Sequence, residues 1–160
     1  MKVEEICQKA KKASYNLASY KAEQKNAMLN AIANALSVCR KKIKAQNAID
    51  IEQAKIDKDA VFIDRLTLTD ARIDTMIEGV KQVVSLPDPV GEVVEKWTNA
   101  IGLNFTKVRA PLGVVGIIYE ARPNVTIDAA ALCLKSGNSV VLRGSKGAIN
   151  SNRALYEVMR

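Results

Sequence analysis

The sequence predicts an α/β protein: an N-terminal helical layer, a β-hairpin arm, and the first βαβ unit of a doubly wound, nucleotide-binding type of sheet. Three observations carry this. All eight glycines and all four prolines fall within residues 79–160, so residues 1–78 lack the strongest turn-formers. Apolar positions in that first stretch recur at helical spacing. Later, two apolar runs stand on either side of an Ala- and Leu-rich segment, as parallel strands stand around a crossover helix.

Taken in order, Val3, Ile6, Cys7, Ala10, Ser14 and Leu17 share one helical face, and Met28, Leu29, Ile32, Leu36, Cys39 and Ile43 repeat the pattern. A weaker helical stretch covers about Asn47 to Asp57. Thr69-Asp70 reads as a cap for a further helix carrying Ile73, Met76, Ile77, Val80, Val83 and Val84. Pro87-Asp88-Pro89 ends the layer, because the residue before a proline is pushed out of the helical region. Glu92–Trp97 and Leu103–Arg109 are β-biased runs joined by a loose hairpin loop. Gly113–Tyr119 reads as a strand buried on both faces, about Val125 to Lys135 as a helix stopped by Ser136-Gly137-Asn138, and Ser139–Arg143 as a second buried strand. Gly144–Gly147 turns the chain into a last helix from about Asn150. Residues 1–86 therefore form the helical segment, 87–110 the arm, and 111–160 the start of the sheet.

Composition removes several functions. The chain has no histidine, which excludes a Ser-His-Asp triad, a Cys-His pair and any His-liganded metal site within it. Cys7, Cys39 and Cys133 are too sparse for a disulfide framework and read as reduced, structural thiols on apolar helical faces. No apolar run approaches a membrane span and the start is not a signal peptide, so a soluble cytoplasmic protein with no membrane partner is expected. The net charge of +7 divides into +4 over residues 1–86 and +3 over 87–160. Nucleic-acid binders gather charge into a stripe, so none is expected here as a partner. The one cluster, Arg40, Lys41, Lys42 and Lys44, reads as the solvated last turn of a helix.

In an open α/β sheet, ligands sit beyond the carboxyl ends of the strands. Two polar loops leave such ends, Glu120–Asn124 and Gly144–Gly147, and each feeds a helix N-terminus suited to an anion. Neither carries a GxGxxG or P-loop string. Asn124 suits an N-cap, its side-chain oxygen accepting from Thr126 or Ile127; its amide also suits a developing oxyanion. Arg143, Ser145 and Lys146 fit either solvated loop charge or a phosphate clamp, and Arg122 has the same two readings.

The run Val108–Thr126, with its string Glu120-Ala121-Arg122-Pro123-Asn124-Val125-Thr126, and its continuation Cys133–Lys146 closely resemble the gamma-glutamyl phosphate reductases of the aldehyde dehydrogenase superfamily. Lys25-Asn26 and Asp64-Arg65-Leu66 extend the likeness less specifically. The resemblance implies an aldehyde dehydrogenase-like Rossmann-type sheet and NADPH-dependent reduction of glutamyl 5-phosphate to glutamate 5-semialdehyde in proline biosynthesis. It implies oxyanion stabilisation by Asn124 and an NADP(H) site at Arg143, Gly144, Ser145 and Lys146; Arg122 is expected as a substrate or phosphate contact, and no metal is expected. Lys146 stands where many aldehyde dehydrogenases place an acidic residue, which suits a 2′-phosphate. The hairpin at 92–109 resembles an oligomerisation arm. The family's nucleophilic cysteine and catalytic domain lie beyond the position of Arg160, so this stretch is expected not to complete the reaction alone. The alternative is a non-catalytic interaction module that retains part of the cofactor site.

Overall fold

A computed structural model describes residues 2–160. The N-terminal layer holds α1 (Val3–Ser19), α2 (Ala22–Val38), α3 (Arg40–Ala54), α4 (Ala60–Leu66) and α5 (Asp70–Ser85). A hairpin of β1 (Val93–Thr98) and β2 (Asn104–Val108) follows. Next come β3 (Val114–Ile118), α6 (Asn124–Lys135), β4 (Ser139–Arg143), a 3-10 turn (Lys146–Ala148) and α7 (Ile149–Val158).

The helical stripes become the core. Leu29 and Leu36 of α2, Ile73 and Val80 of α5, Ile127 of α6 and Leu155 of α7 meet in one cluster, joined by Ile43 of α3. Each such side chain contributes about 1.5–3 kcal/mol on burial. Segments 1–86 and 111–160 thus share this apolar interior. The Thr69 hydroxyl accepts from Arg72 N at 3.2 Å and starts α5 as expected.

Strands β3 and β4 pair in parallel, Val114 opposite Ser139 through Ile118 opposite Arg143, with α6 as the crossover. Gly137 takes φ 72° at the end of α6, the left-handed position that glycine tolerates best. The hairpin strands pair antiparallel, Trp97 opposite Phe105, with a shift in register near Val93.

Five expectations are corrected. The stripe from Met28 to Ile43 is not one helix: Cys39 (φ −86°, ψ 6°) breaks it. The break lets α2 stay against α5 and α6 while α3 turns to pack on α7. The basic run consequently opens α3 instead of closing α2, an unfavourable place for cations beside the helix dipole. Carboxylates from elsewhere offset that cost: Arg40 pairs with Asp74, Lys44 with Asp70 at 2.5 Å, and Lys42 with Glu157 at 2.6 Å. Helix α4 was not expected; Asp59 caps it, accepting from Phe62 N at 2.7 Å. Finally, β3 and β4 are only partly covered, Ile118 being 86% exposed, because a two-stranded sheet leaves each strand an open edge. Val3 and Cys7 also lie on the exposed side of α1, where Ser14 is the buried residue.

Candidate functional site

Both loops singled out by the sequence leave the carboxyl ends of adjacent parallel strands, so the fold brings them side by side. Helix α4 lies beneath both. Its Leu66 packs with Ala121 of the first loop and Ala148 after the second, and Phe62 joins them. A chain of hydroxyls also ties the loops: Tyr119 Oη bonds Thr126 Oγ1 at 2.7 Å, which bonds Asn152 Oδ1 at 3.1 Å. Gly144 lies against this chain so closely that a Cβ would overlap Asn152 Nδ2 and crowd the Tyr119 ring.

At the first loop, Asn124 is the first residue of α6 and Pro123 holds the cap position. The expected cap does not form. Thr126 N bonds the Pro123 carbonyl at 3.0 Å, while Asn124 Nδ2 donates to Asp128 Oδ2 at 3.0 Å. The bond to Asp128, one helical turn on, occupies one amide proton and leaves the second available. Asn124 and Asp128 line a cleft of about 290 Å³ with Arg122 and, from the α4–α5 side, Asp64, Arg65, Thr67, Arg72 and Thr75. Arg72 is committed to Asp64, reaching both carboxylate oxygens at 2.9 and 3.0 Å. Arg65 and Arg122 both approach Glu120, Arg65 at 3.6 Å and Arg122 Nε at 2.8 Å with its N–H poorly aligned. Burial pushes the Asp128 carboxyl above its ordinary range, only partly countered by the Asn124 amide.

The second loop is arranged differently from expectation. Ser145 accepts from Gly147 N at 3.2 Å, opening the 3-10 turn and leaving its own proton free to donate. The α7 N-terminus, however, already holds an anion. Asp50 of α3, 1% exposed, accepts from Asn150 N and Nδ2 and from Ser151 N and Oγ, at 2.6–3.2 Å. An external phosphate is therefore left with the loop side, where the exposed Arg143 and Lys146 have no ion-pair partner among the described residues.

Sequence reasoning singled out Arg122, Asn124 and Arg143–Lys146, all of which lie at the two loops, and passed over Asp50, Arg72 and Asp128. The spacing of Asn124 and Asp128, four apart at a helix start, was the available signal for Asp128. Nothing local marks Asp50, whose partners stand about a hundred residues away. None of the three cysteines lines the Asn124 cleft. Cys7 is exposed, Cys39 sits at the α2–α3 break, and burial pushes the Cys133 thiol up.

Parallel strands joined by a crossover helix, with polar loops at their carboxyl ends, define the class: a mixed α/β protein built on a βαβ unit, the kind of unit beyond whose strand ends ligands generally sit. Residues 1–160 match the model of the aldehyde dehydrogenase family, and the chain belongs to that family. It is 51% identical over 158 residues to the gamma-glutamyl phosphate reductase of Lactiplantibacillus plantarum, covering 99% of this chain and 38% of that one. The same enzyme of Geobacillus thermodenitrificans is 50% identical over 157 residues, covering 98% and 38%. The crystal structure of gamma-glutamyl phosphate reductase from Thermotoga maritima superposes with a TM-score of 0.92 at 42% identity, covering 95% of this chain and 37% of that one. An NAD-dependent benzaldehyde dehydrogenase from Corynebacterium glutamicum, 23% identical with a TM-score of 0.66 over 93% of this chain and 31% of that one, shares the fold. The chain spans about 38% of the length of the curated relatives it matches.

Proposed function

We propose that this chain serves as the N-terminal part of a gamma-glutamyl phosphate reductase that converts L-glutamyl 5-phosphate to L-glutamate 5-semialdehyde in proline biosynthesis. The observation that carries the reading is Asn124: it opens α6 at the strand end, faces the cleft, and has one amide proton uncommitted. An amide N–H held there suits the oxyanion that forms when an acyl phosphate is attacked. Arg122 supplies positive charge for the anionic substrate in the same cleft.

The donor set of the second loop fits NADP(H). Arg143 and Lys146 offer charge without competing partners, Ser145 offers a hydroxyl proton, and Gly144 keeps the backbone close to α7. When bound, the dinucleotide supplies the hydride. Lys146 would hold the 2′-phosphate, since Asp50 already takes the N–H groups at the start of α7. The thiol nucleophile is none of the cysteines present here, so residues 1–160 alone do not complete the reaction. The hairpin at 92–109 is the surface for self-association. Among the described residues no helix is long and apolar enough to cross a membrane, and a cytoplasmic setting suits the chemistry.

The test is Asn124→Ala in the full-length reductase that carries this segment, assayed as phosphate-dependent reduction of NADP⁺ by glutamate 5-semialdehyde. Turnover drops roughly a hundredfold with little change in KM. Unchanged turnover removes Asn124 from the chemistry, and the reading with it.

A further inference from the structure

The cleft beside Asn124 is mixed in charge, and its charges are unevenly satisfied. Of its two carboxylates, Asp64 is neutralised by the two-pronged contact with Arg72. Asp128 has no cation: its one hydrogen bond comes from the neutral amide of Asn124, on Oδ2. Its other oxygen, Oδ1, accepts nothing among the described residues. It lies near Gly79 of α5, where a Cβ would stand 4.0 Å from it. The cationic side of the cleft is Arg65 and Arg122, which share Glu120 and are about half exposed.

A half-buried carboxylate without a counter-charge is costly to hold, and the raised carboxyl of Asp128 reflects that. A ligand ammonium would supply the missing charge. An amino acid also brings a carboxylate, which the arginine side accommodates. Asn124 Nδ2 and Asp128 Oδ2 stand 3.0 Å apart in the same cleft, so one bound molecule can meet both side chains.

We propose that Asp128 receives the α-ammonium of an amino-acid acyl phosphate and thereby selects it over the same molecule lacking the amino group. This rests on the reading of Asn124 as the group beside the reacting carbonyl. Asp128 binds and selects; it takes no proton from the reacting atoms.

The experiment compares L-glutamate with glutarate, and L-glutamate 5-semialdehyde with glutarate semialdehyde, on the full-length reductase. Calorimetry gives binding of the first pair, and phosphate-dependent NADP⁺ reduction gives kcat/KM for the second. In Asp128→Asn, binding of L-glutamate weakens at least tenfold and kcat/KM for the amino substrate falls as much, mainly through KM. The deaminated partners keep their wild-type values within about twofold, as differential binding requires. Asp128→Ser, which keeps a polar group but no charge, gives the same contrast should the first variant fold poorly. Equal losses on both members of a pair assign Asp128 a structural role and overturn the proposal, as does no loss on either. A wild-type enzyme that binds neither glutamate nor glutarate overturns it too. Asn124→Ala separates the two readings. If it leaves turnover intact while Asp128→Asn still discriminates, the role of Asn124 fails and ammonium recognition stands.

Discussion

Single residues divide by how far away their partners lie. Asn124 and Arg122 were legible because they fall at a strand end before a helix, a place that local pattern defines. Asp50, Lys25 and Asp88 were not, because long-range packing gives them their roles. Lys25 is completely buried and its ammonium meets Asp88 at 2.5 Å, across the Pro87–Pro89 turn that ends the helical layer. Burial pushes the Asp88 carboxyl up, but bonds from Lys25 and Val90 N outweigh it and hold the carboxyl below its ordinary range. A folded value below the unfolded one stabilises the fold above the ordinary Asp value of about 3.9 and is lost as acid titrates the folded carboxyl. Asp88→Asn leaves Lys25 buried without its anion and costs about 3 kcal/mol near neutral pH. Denaturant melts from pH 7 to pH 2.5 should show wild type and Asp88→Asn far apart at pH 5–7, with the gap narrowing as the pH falls past the ordinary Asp value. A gap that stays constant through the acid range removes Asp88 from the acid response.

At the scale of elements, periodicity gave the helices and punctuation gave their ends, and each failure has a physical reason. The Cys39 break carries no glycine or proline, and the apolar stripe continues across it because one residue of bridge-region backbone does not shift the buried face far. Helix α4 has only seven residues, and its apolar run Ala60–Ile63 reads as strand or helix alike; Asp59, its cap, was the sign that favoured helix. That omission mattered, since α4 supports both site loops. Gly137, by contrast, was readable as the stop of α6, and the structure gives it two constraints at once. Its φ is 72°, and a Cβ there would stand 3.0 Å from Pro111 Cγ and 3.3 Å from Val90 Cγ2. Gly137→Ala therefore costs about 2 kcal/mol from backbone strain plus crowding. That lowers the melting temperature by about 4–8 °C for a chain of this size. Gly116, where a Cβ meets nothing within 4 Å, is the control: Gly116→Ala should shift the melt by less than half as much. Equal shifts at the two glycines would show that crowding at Gly137 is relieved by movement of Pro111 and Val90.

For the molecule as a whole, α2, α3, α5, α6 and α7 share one interior, whereas the hairpin stands outside it. Every residue of β1 and β2 is exposed, including Val94, Phe105 and Val108, and Trp97 at 46% stacks on Phe105 with ring centroids 5.1 Å apart. Two strands alone are marginal in water, and this ribbon presents apolar side chains on both faces. Such an arm is stabilised when another surface covers it, as the proposed self-association provides. The chain has one tryptophan, and it lies on this arm, so its emission reports on the arm alone. As protein concentration rises, that emission should move to shorter wavelength in step with growth of the dimer or larger species in sedimentation velocity. Val94→Lys sets a charge among these exposed apolar groups without touching the common core. It should hold the protein monomeric at concentrations where wild type associates, leave the tryptophan emission constant, and change the melting temperature of the dilute protein by less than about 2 °C, as a surface substitution does. If Val94→Lys associates as strongly as wild type, the contact between copies lies elsewhere, and the hairpin must be covered from within a single assembly unit.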